Sequence, residues 1–110
     1  MLTGSPGGST IISTTVETML DVMDFGMNAQ QAVDAPRMHM PWWPDRIDVE
    51  PGHLRPHARA ALRAMRYRLH QRAPCGAAES IVVGPRRIQG ANHRRRAAGA
   101  AMGCRQCAVP

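Results

Sequence analysis

The sequence predicts an α+β fold, and three observations carry that reading. Ile12, Val16, Met19 or Leu20, and Met23 recur at helical spacing. Ala58, Ala61, Leu62 and Met65 repeat the pattern just past Pro56. Short extended runs at Ile47 to Val49 and Ser80 to Val83 add strands to these helices.

Taken in order, the chain opens on Gly4-Ser5-Pro6-Gly7-Gly8-Ser9, a loop entering the first helix. Two adjacent glycines leave two backbone N–H groups unshielded by side chains. A helix N-terminus adds further unpaired N–H groups and the positive end of a dipole. Such a loop can cradle an anion or a developing oxyanion. The same residues also make a plain Ser-Pro-Gly-Gly turn feeding a helix cap, which is the commoner use of such a motif. The spacing fits neither the dinucleotide fingerprint nor the lysine-bearing phosphate loop, and the chain has no lysine.

The helix expected from Thr10 to Phe25 is stopped by Gly26. Its first half is rich in Thr and Ile, so local propensity alone would also accept a strand there. Asn28 caps a second, short helix through Ala35, with Gln31 three positions on to complete a capping box, and Pro36 ends it. Met38 to Met40 and Ile47 to Val49 read as extended pieces on either side of Pro41 to Pro44. The third helix begins near Pro56, with Arg59, Arg63 and Arg66 outward. Arg68 to His70, Ser80 to Val83 and Arg87 to Gln89 read as later strands.

At 110 residues one domain is expected. The 44% apolar content is that of ordinary folded domains, while a single Phe and a single Tyr leave the core few large anchors. No apolar run reaches the ~20 residues that span a bilayer. No basic segment followed by an apolar core opens the chain, so no signal peptide is read; a product made from Met1 alone is expected in the cytoplasm.

All fourteen basic residues are arginines and the formal charge is +6. Arg86-Arg87 and Arg94-Arg95-Arg96 have the charge to grip phosphates. No aromatic residue is interleaved to stack bases, so a solvated face is the better reading and nucleic acid is not the expected partner. Cys104-Arg105-Gln106-Cys107 has the spacing of half a zinc site, with only Cys75 and His93 to supplement it. It falls in the last seven residues, 104–110, which are expected to form a disordered tail. His39, His53, His57, His70 and His93 are scattered, and Pro56 argues against one helix presenting both His53 and His57 to a metal. Neither a metal nor a cofactor is called for.

Read together, the motifs fall in a specific order. The Gly-Gly loop is followed by Asp24-Phe25-Gly26-Met27-Asn28 and Gln31-Ala32-Val33-Asp34-Ala35-Pro36-Arg37. His39, Trp42-Trp43-Pro44-Asp45 and Val49-Glu50-Pro51-Gly52 come next, then Glu79-Ser80-Ile81, Gly90-Ala91-Asn92 and Gly99-Ala100-Ala101-Met102-Gly103. This order resembles the C-terminal part of the small subunit of gamma-glutamyltransferases, also called glutathione hydrolases, within the N-terminal-nucleophile hydrolases. The resemblance covers residues 1–103 and is strongest from Gly4 to Gly52. It implies a partial α/β/β/α sandwich, incomplete in this chain, from an enzyme that transfers or hydrolyses the gamma-glutamyl group of glutathione.

In that family a threonine freed by self-cleavage attacks the gamma-glutamyl carbonyl and its own α-amine takes the proton. Thr3 does not match it, because the family nucleophile lies far upstream of the Gly-Gly motif. The Pro-Leu-Ser-Ser-Met segment that helps hold the substrate is absent too. What carries over is Gly7 and Gly8, whose backbone N–H groups would line the oxyanion hole. The resemblance thus implies as partners a gamma-glutamyl substrate, a large subunit and the N-terminal part of the small subunit. It implies a periplasmic, secreted or cell-surface setting for the intact enzyme. By its own residues the chain alone is expected to be inactive. The alternatives are a small Arg-rich nucleic-acid-binding protein and a non-functional gene remnant.

Departures from the family pattern cluster late. The usual Gly-Ala-x-Asp-Pro-Arg reads Gly90-Ala91-Asn92-His93-Arg94-Arg95, and the family's closing tyrosine corresponds to Cys104. Ala77 and Glu79 stand where the family commonly has Ser and Gln. Arg66 stands where a glycine follows the third helix; if that position is left-handed, arginine costs on the order of 1 kcal/mol there.

Overall fold

In the computed structural model, which describes residues 1–74 and 76–94 and the backbone of 107–108, strands come from both ends of the chain to build one sheet. β1 (Leu2–Gly4) pairs with β5 (Glu79–Val83), β5 with β6 (Arg87–Asn92), and β6 with β7 (Cys107–Ala108), all antiparallel. A second sheet runs β2 (Met38–His39), β3 (Ile47–Val49), β4 (Leu69–Gln71), with β3 antiparallel to β2 and parallel to β4. The helices are α1 (Ile11–Met23), α2 (Ala29–Asp34) and α3 (Pro56–Ala64), and a 3₁₀ turn at Gly8–Thr10 leads into α1. The chain divides into two compact units where the sequence suggests one. One unit holds Met1–Ala35 with the described residues from Gly76 onward, and the other those of Pro36–Cys75.

Most elements lie within a residue or two of their expected places. β1 was not anticipated, because Leu2-Thr3-Gly4 carries no period of its own and becomes a strand only against β5. β6 runs on to Asn92, past the expected Gln89. The strand at Cys107–Ala108 falls within the expected tail, whose other residues lie outside the described ones.

In the first unit α1 packs on α2 and β1, and α2 packs on β5 and β6. The packed surface is built of small side chains: Thr10, Thr14 and Thr18 at a spacing of four, Ala29, Ala32 and Val33 of α2, and Ala78 and Ser80 beside or on β5 are all buried. Small residues let helix and sheet backbones approach closely, and each hydroxyl needs a partner there. Thr18 Oγ1 donates to the Thr14 carbonyl at 2.7 Å. Thr3 and Ser80, opposite one another in the β1–β5 register, share a hydroxyl hydrogen bond of 2.8 Å.

The apolar stripe that marks α1 in the sequence faces the other way. Ile12 is 75% exposed and Met23 70%, and Val16, Met19 and Leu20 are also exposed, whereas Thr14 is 1% and Thr18 0% exposed. β5 repeats the inversion, with Ser80 inward and Ile81 and Val83 outward. Exposed contiguous apolar faces favour association. The chain is therefore expected to self-associate at micromolar concentration in sedimentation velocity. The pair Ile12→Glu with Leu20→Glu should return it to the monomer at little stability cost, since both positions are solvated. A wild-type chain that stays monomeric at ~100 μM would contradict this reading of the face.

Helix ends follow their caps. Asn28 Oδ1 accepts from the Gln31 N–H at 2.9 Å and Gln31 Oε1 accepts from the Asn28 N–H at 3.0 Å, the reciprocal box expected at α2. The Ala29 N–H, another of the helix's orphan donors, reaches Gln89 Oε1 of β6 at 3.1 Å. Gly26, at φ 66°, turns the chain out of α1, and the Met27 N–H returns to the Asp21 carbonyl at 2.9 Å.

In the second unit Ile47 and Val49 are buried, and the Glu50 N–H donates to the Arg37 carbonyl at 2.9 Å. α3 starts on Pro56 at its first position and ends in a Schellman pattern. There the Tyr67 N–H donates to Leu62 O at 3.0 Å and the Arg66 N–H to Arg63 O at 2.9 Å. Arg63 and Arg66 are exposed as expected, while Arg59 is half-buried. Arg66 itself sits at φ 69°, the left-handed position where glycine is unstrained. Arg66→Gly is expected to raise the stability of this unit by up to about 1 kcal/mol, the left-handed penalty less glycine's greater unfolded entropy. A rise in the urea midpoint at unchanged m-value would register it, and a fall would refute it.

Candidate functional site

The loop from Ser5 to Thr10 is held from three sides. Ser5 Oγ donates to the Pro6 carbonyl at 2.8 Å and accepts from the Ala77 N–H, across the unit, at 3.0 Å. Thr10 is buried; its Oγ1 donates to the Gly7 carbonyl at 2.9 Å, reinforced by its own N–H at 3.3 Å. Gly76 packs so close to Thr14 that a Cβ there would lie 2.7 Å from the Thr14 hydroxyl and 3.2 Å from Ser5 Oγ.

Gly7 and Gly8 need to be glycines for different reasons. Gly7 has φ 142°, and a Cβ on it would meet Thr10 Oγ1 at 2.5 Å. Gly8 has φ 59° but open space around it, so its requirement is backbone conformation alone. Both residues are exposed, and among the described residues neither N–H has a hydrogen-bond acceptor. Gly8 opens the 3₁₀ turn that feeds α1, so its N–H is one of the free donors at a helix start. The arrangement presents two consecutive amide donors to an outside acceptor.

A second polar cluster lies in the other unit and was not legible in the sequence. Asp48 of β3 is buried, with Arg46 Nε at 2.8 Å and His70 Nδ1 at 3.0 Å from Oδ1, and Arg72 Nη1 at 3.6 Å from Oδ2. The parallel register sets Asp48 beside His70, and the antiparallel one sets it beside His39. Two guanidinium groups already offset the one carboxylate, and the cluster ties strands β3 and β4 together. His53 Nδ1 is 2.7 Å from the Pro36 carbonyl and His57 is exposed on α3, so the two are not drawn to a common centre. Among the described residues no three His, Cys, Asp or Glu side chains group as a metal requires. Cys75 and Cys104 lie outside the described residues, as does the side chain of Cys107. Trp42 and Trp43 are 85% and 82% exposed on the loop between β2 and β3.

Three arginines of the cluster fall among the described residues. Arg86 and Arg87 are exposed, Arg94 lies 4.0 Å from Asp34, and Arg95 and Arg96 lie outside the described residues. Among the described residues no helix is long and apolar enough to cross a membrane.

Mixed α and β with two small sheets, the described residues carry part of the N-terminal-nucleophile hydrolase fold of the solved structures they resemble. The family model for gamma-glutamyltranspeptidase matches residues 1–103, and the chain belongs to that family. It is 38% identical to a glutathione hydrolase proenzyme of Pseudomonas sp. (strain A14) over 113 aligned positions, covering 94% of this chain and 20% of that protein. To the glutathione hydrolase proenzyme of Escherichia coli (strain K12) it is 39% identical over 85 positions, covering 77% of this chain and 14% of the relative. A crystal structure of Helicobacter pylori gamma-glutamyltranspeptidase superposes with a TM-score of 0.81 at 34% identity, over 86% of this chain and 53% of the solved one. The chain thus spans about a fifth or less of these proenzymes' length. These matches support the enzyme-family reading and give none to the nucleic-acid alternative.

Proposed function

We propose that the Gly7-Gly8 loop is the oxyanion-binding element of a site that transfers or hydrolyses the gamma-glutamyl group of glutathione or a related donor. The observation that carries the proposal is the pair of consecutive amide N–H groups, on residues that must be glycine, facing no acceptor among the described residues. When a hydroxyl adds to an acyl carbonyl, negative charge gathers on the carbonyl oxygen. Fixed N–H donors stabilise that charge more than the neutral ground state, which lowers the barrier. In the family the attacking group is a threonine hydroxyl whose proton passes to the threonine's own α-amine. Collapse of the tetrahedral intermediate then expels the amine and leaves a gamma-glutamyl ester, for water or an acceptor amine to release.

On this reading the nucleophile and the groups that grip the substrate's α-amino and α-carboxyl groups come from outside these 110 residues, from other parts of the enzyme. A periplasmic, secreted or cell-surface setting belongs to the same proposal. The test uses a chromogenic gamma-glutamyl anilide. A chain of these 110 residues is expected to release no more anilide than its Gly7→Val, Gly8→Val variant, because nothing in it forms the intermediate that the loop would stabilise. Co-expression with a segment bearing the threonine is expected to give turnover that the same double substitution removes. Turnover of the co-expressed pair that survives the double substitution would overturn the assignment.

A further inference from the structure

The bonds around the loop point to a task for two hydroxyl side chains that no motif marks. In a trans peptide the C=O and the following N–H lie in one plane and point in opposite directions. The Pro6 carbonyl therefore shares its plane with the Gly7 N–H, and the Gly7 carbonyl shares its plane with the Gly8 N–H. Both of these peptides are trans. Each carbonyl is held by a side-chain hydroxyl: Pro6 O by Ser5 Oγ at 2.8 Å, and Gly7 O by Thr10 Oγ1 at 2.9 Å, the shorter of two bonds there, the Thr10 N–H lying at 3.3 Å. Holding the carbonyl fixes the direction of the N–H on the opposite edge.

We propose that Ser5 and Thr10 are positioning residues that lock the Gly7 and Gly8 N–H groups in the direction of the acceptor. The catalytic half of this proposal rests on the oxyanion reading above; the locking itself rests on geometry alone. The lock has a physical reason to exist. Glycine leaves a peptide plane freer to rotate than any other residue, so the residue type that permits the loop's backbone also loosens it. Donors act without reorganisation cost only if they are fixed before charge develops. Both hydroxyls are themselves restrained. Thr10 is buried at the head of α1, and Ser5 Oγ is tied to the Ala77 N–H at 3.0 Å, which anchors the loop to the segment entering β5. Gly76 supplies the close approach that brings this segment to Ser5.

The locking is read by 15N relaxation on the 110-residue chain labelled at glycine, in the Ile12→Glu, Leu20→Glu background that keeps it monomeric. Gly7 and Gly8 are expected to show order parameters near the rigid-backbone value of about 0.85. Thr10→Val, which keeps the volume and removes the hydroxyl, should lower Gly8 below about 0.6 while Gly7 stays high; Thr10→Ser should restore it. Ser5→Ala should do the same to Gly7, with rescue by Ser5→Thr. A merely structural role would move the melting point of all four variants but would not select one amide or be rescued in this way. Averaged glycine amides in that background with Ser5 and Thr10 intact, or a Gly8 unchanged in Thr10→Val, would overturn the proposal. In an enzyme carrying this segment and the threonine nucleophile, Thr10→Val should lower kcat about tenfold with KM unchanged, since the donor is mis-aimed rather than removed. Loosened amides with unchanged kcat would leave the lock standing and overturn the oxyanion reading.

Discussion

Gly7→Val is expected to lower kcat by about 10²- to 10³-fold in an enzyme that carries this loop together with its nucleophile, the loss seen when one oxyanion donor is removed. Two independent effects converge on that result. Valine does not adopt φ near 142°, so the peptide planes on either side must rotate. Its Cβ would also sit 2.5 Å from Thr10 Oγ1, displacing the hydroxyl that holds the Gly7 carbonyl. KM for the gamma-glutamyl donor should change little, because ground-state contacts to the substrate's charged ends lie elsewhere on the proposed reading. Steady-state kinetics on the anilide check this. Gly8→Ala is the informative companion: with open space around its Cβ it tests backbone conformation alone and should cost less. Equal, near-wild-type kcat in both would remove the loop from the chemistry.

The largest effect on stability is expected at Gly76, outside the motif itself. Gly76→Ala should destabilise the unit formed by the chain's two ends by about 3 kcal/mol. Of this, roughly 1–2 kcal/mol is the left-handed backbone at φ 72°, and the rest comes from driving a methyl against the buried Thr14 side chain. Thr14 sits in the middle of α1 with a stiff β-branched side chain, so it cannot swing aside cheaply. Urea unfolding, with the chain below its association range, should show a lower midpoint at unchanged m-value. Gly8→Ala again calibrates the result at about 1 kcal/mol, the left-handed term without a clash. A Gly76→Ala loss no larger than that of Gly8→Ala would show that the Thr14 contact is soft.

Some of this was written locally along the chain. Asn28 and Gln31 lie three apart in front of a short alanine-rich run, and the capping box they form depends on nothing outside those residues. Pro56 opens α3 because its fixed φ suits a helix start. Arg66 is marked as a candidate for strain because the family resemblance puts a glycine there, and it sits at φ 69°. The family was legible because its motifs keep their order over residues 1–103. Gly7 and Gly8 were identifiable as a pair of open amides, since that property follows from lacking side chains.

The tertiary structure decided which way the elements face. The apolar residues of α1 mark one face of the helix, but it is Thr14 and Thr18 on the other face that are buried, while Ile12 and Met23 are solvated. Helical periodicity says that two faces differ but not which one meets this chain's own sheet. Close approach of α1 to α2 and of α2 to β5 selects small side chains, and threonine satisfies its hydroxyl within the helix. β1 exists only because residues near position 80 supply its partner, and no local signal announces so distant a pairing. The grouping of Arg46, His70 and Arg72 around Asp48 likewise needs the β3–β4 register to bring residues 22 and 24 positions from Asp48 alongside it. Ser5 was visible as a turn residue and Thr10 as the start of the first helix. That their hydroxyls fix the two peptide planes carrying the open amides is a matter of hydrogen-bond direction, which only a folded backbone defines.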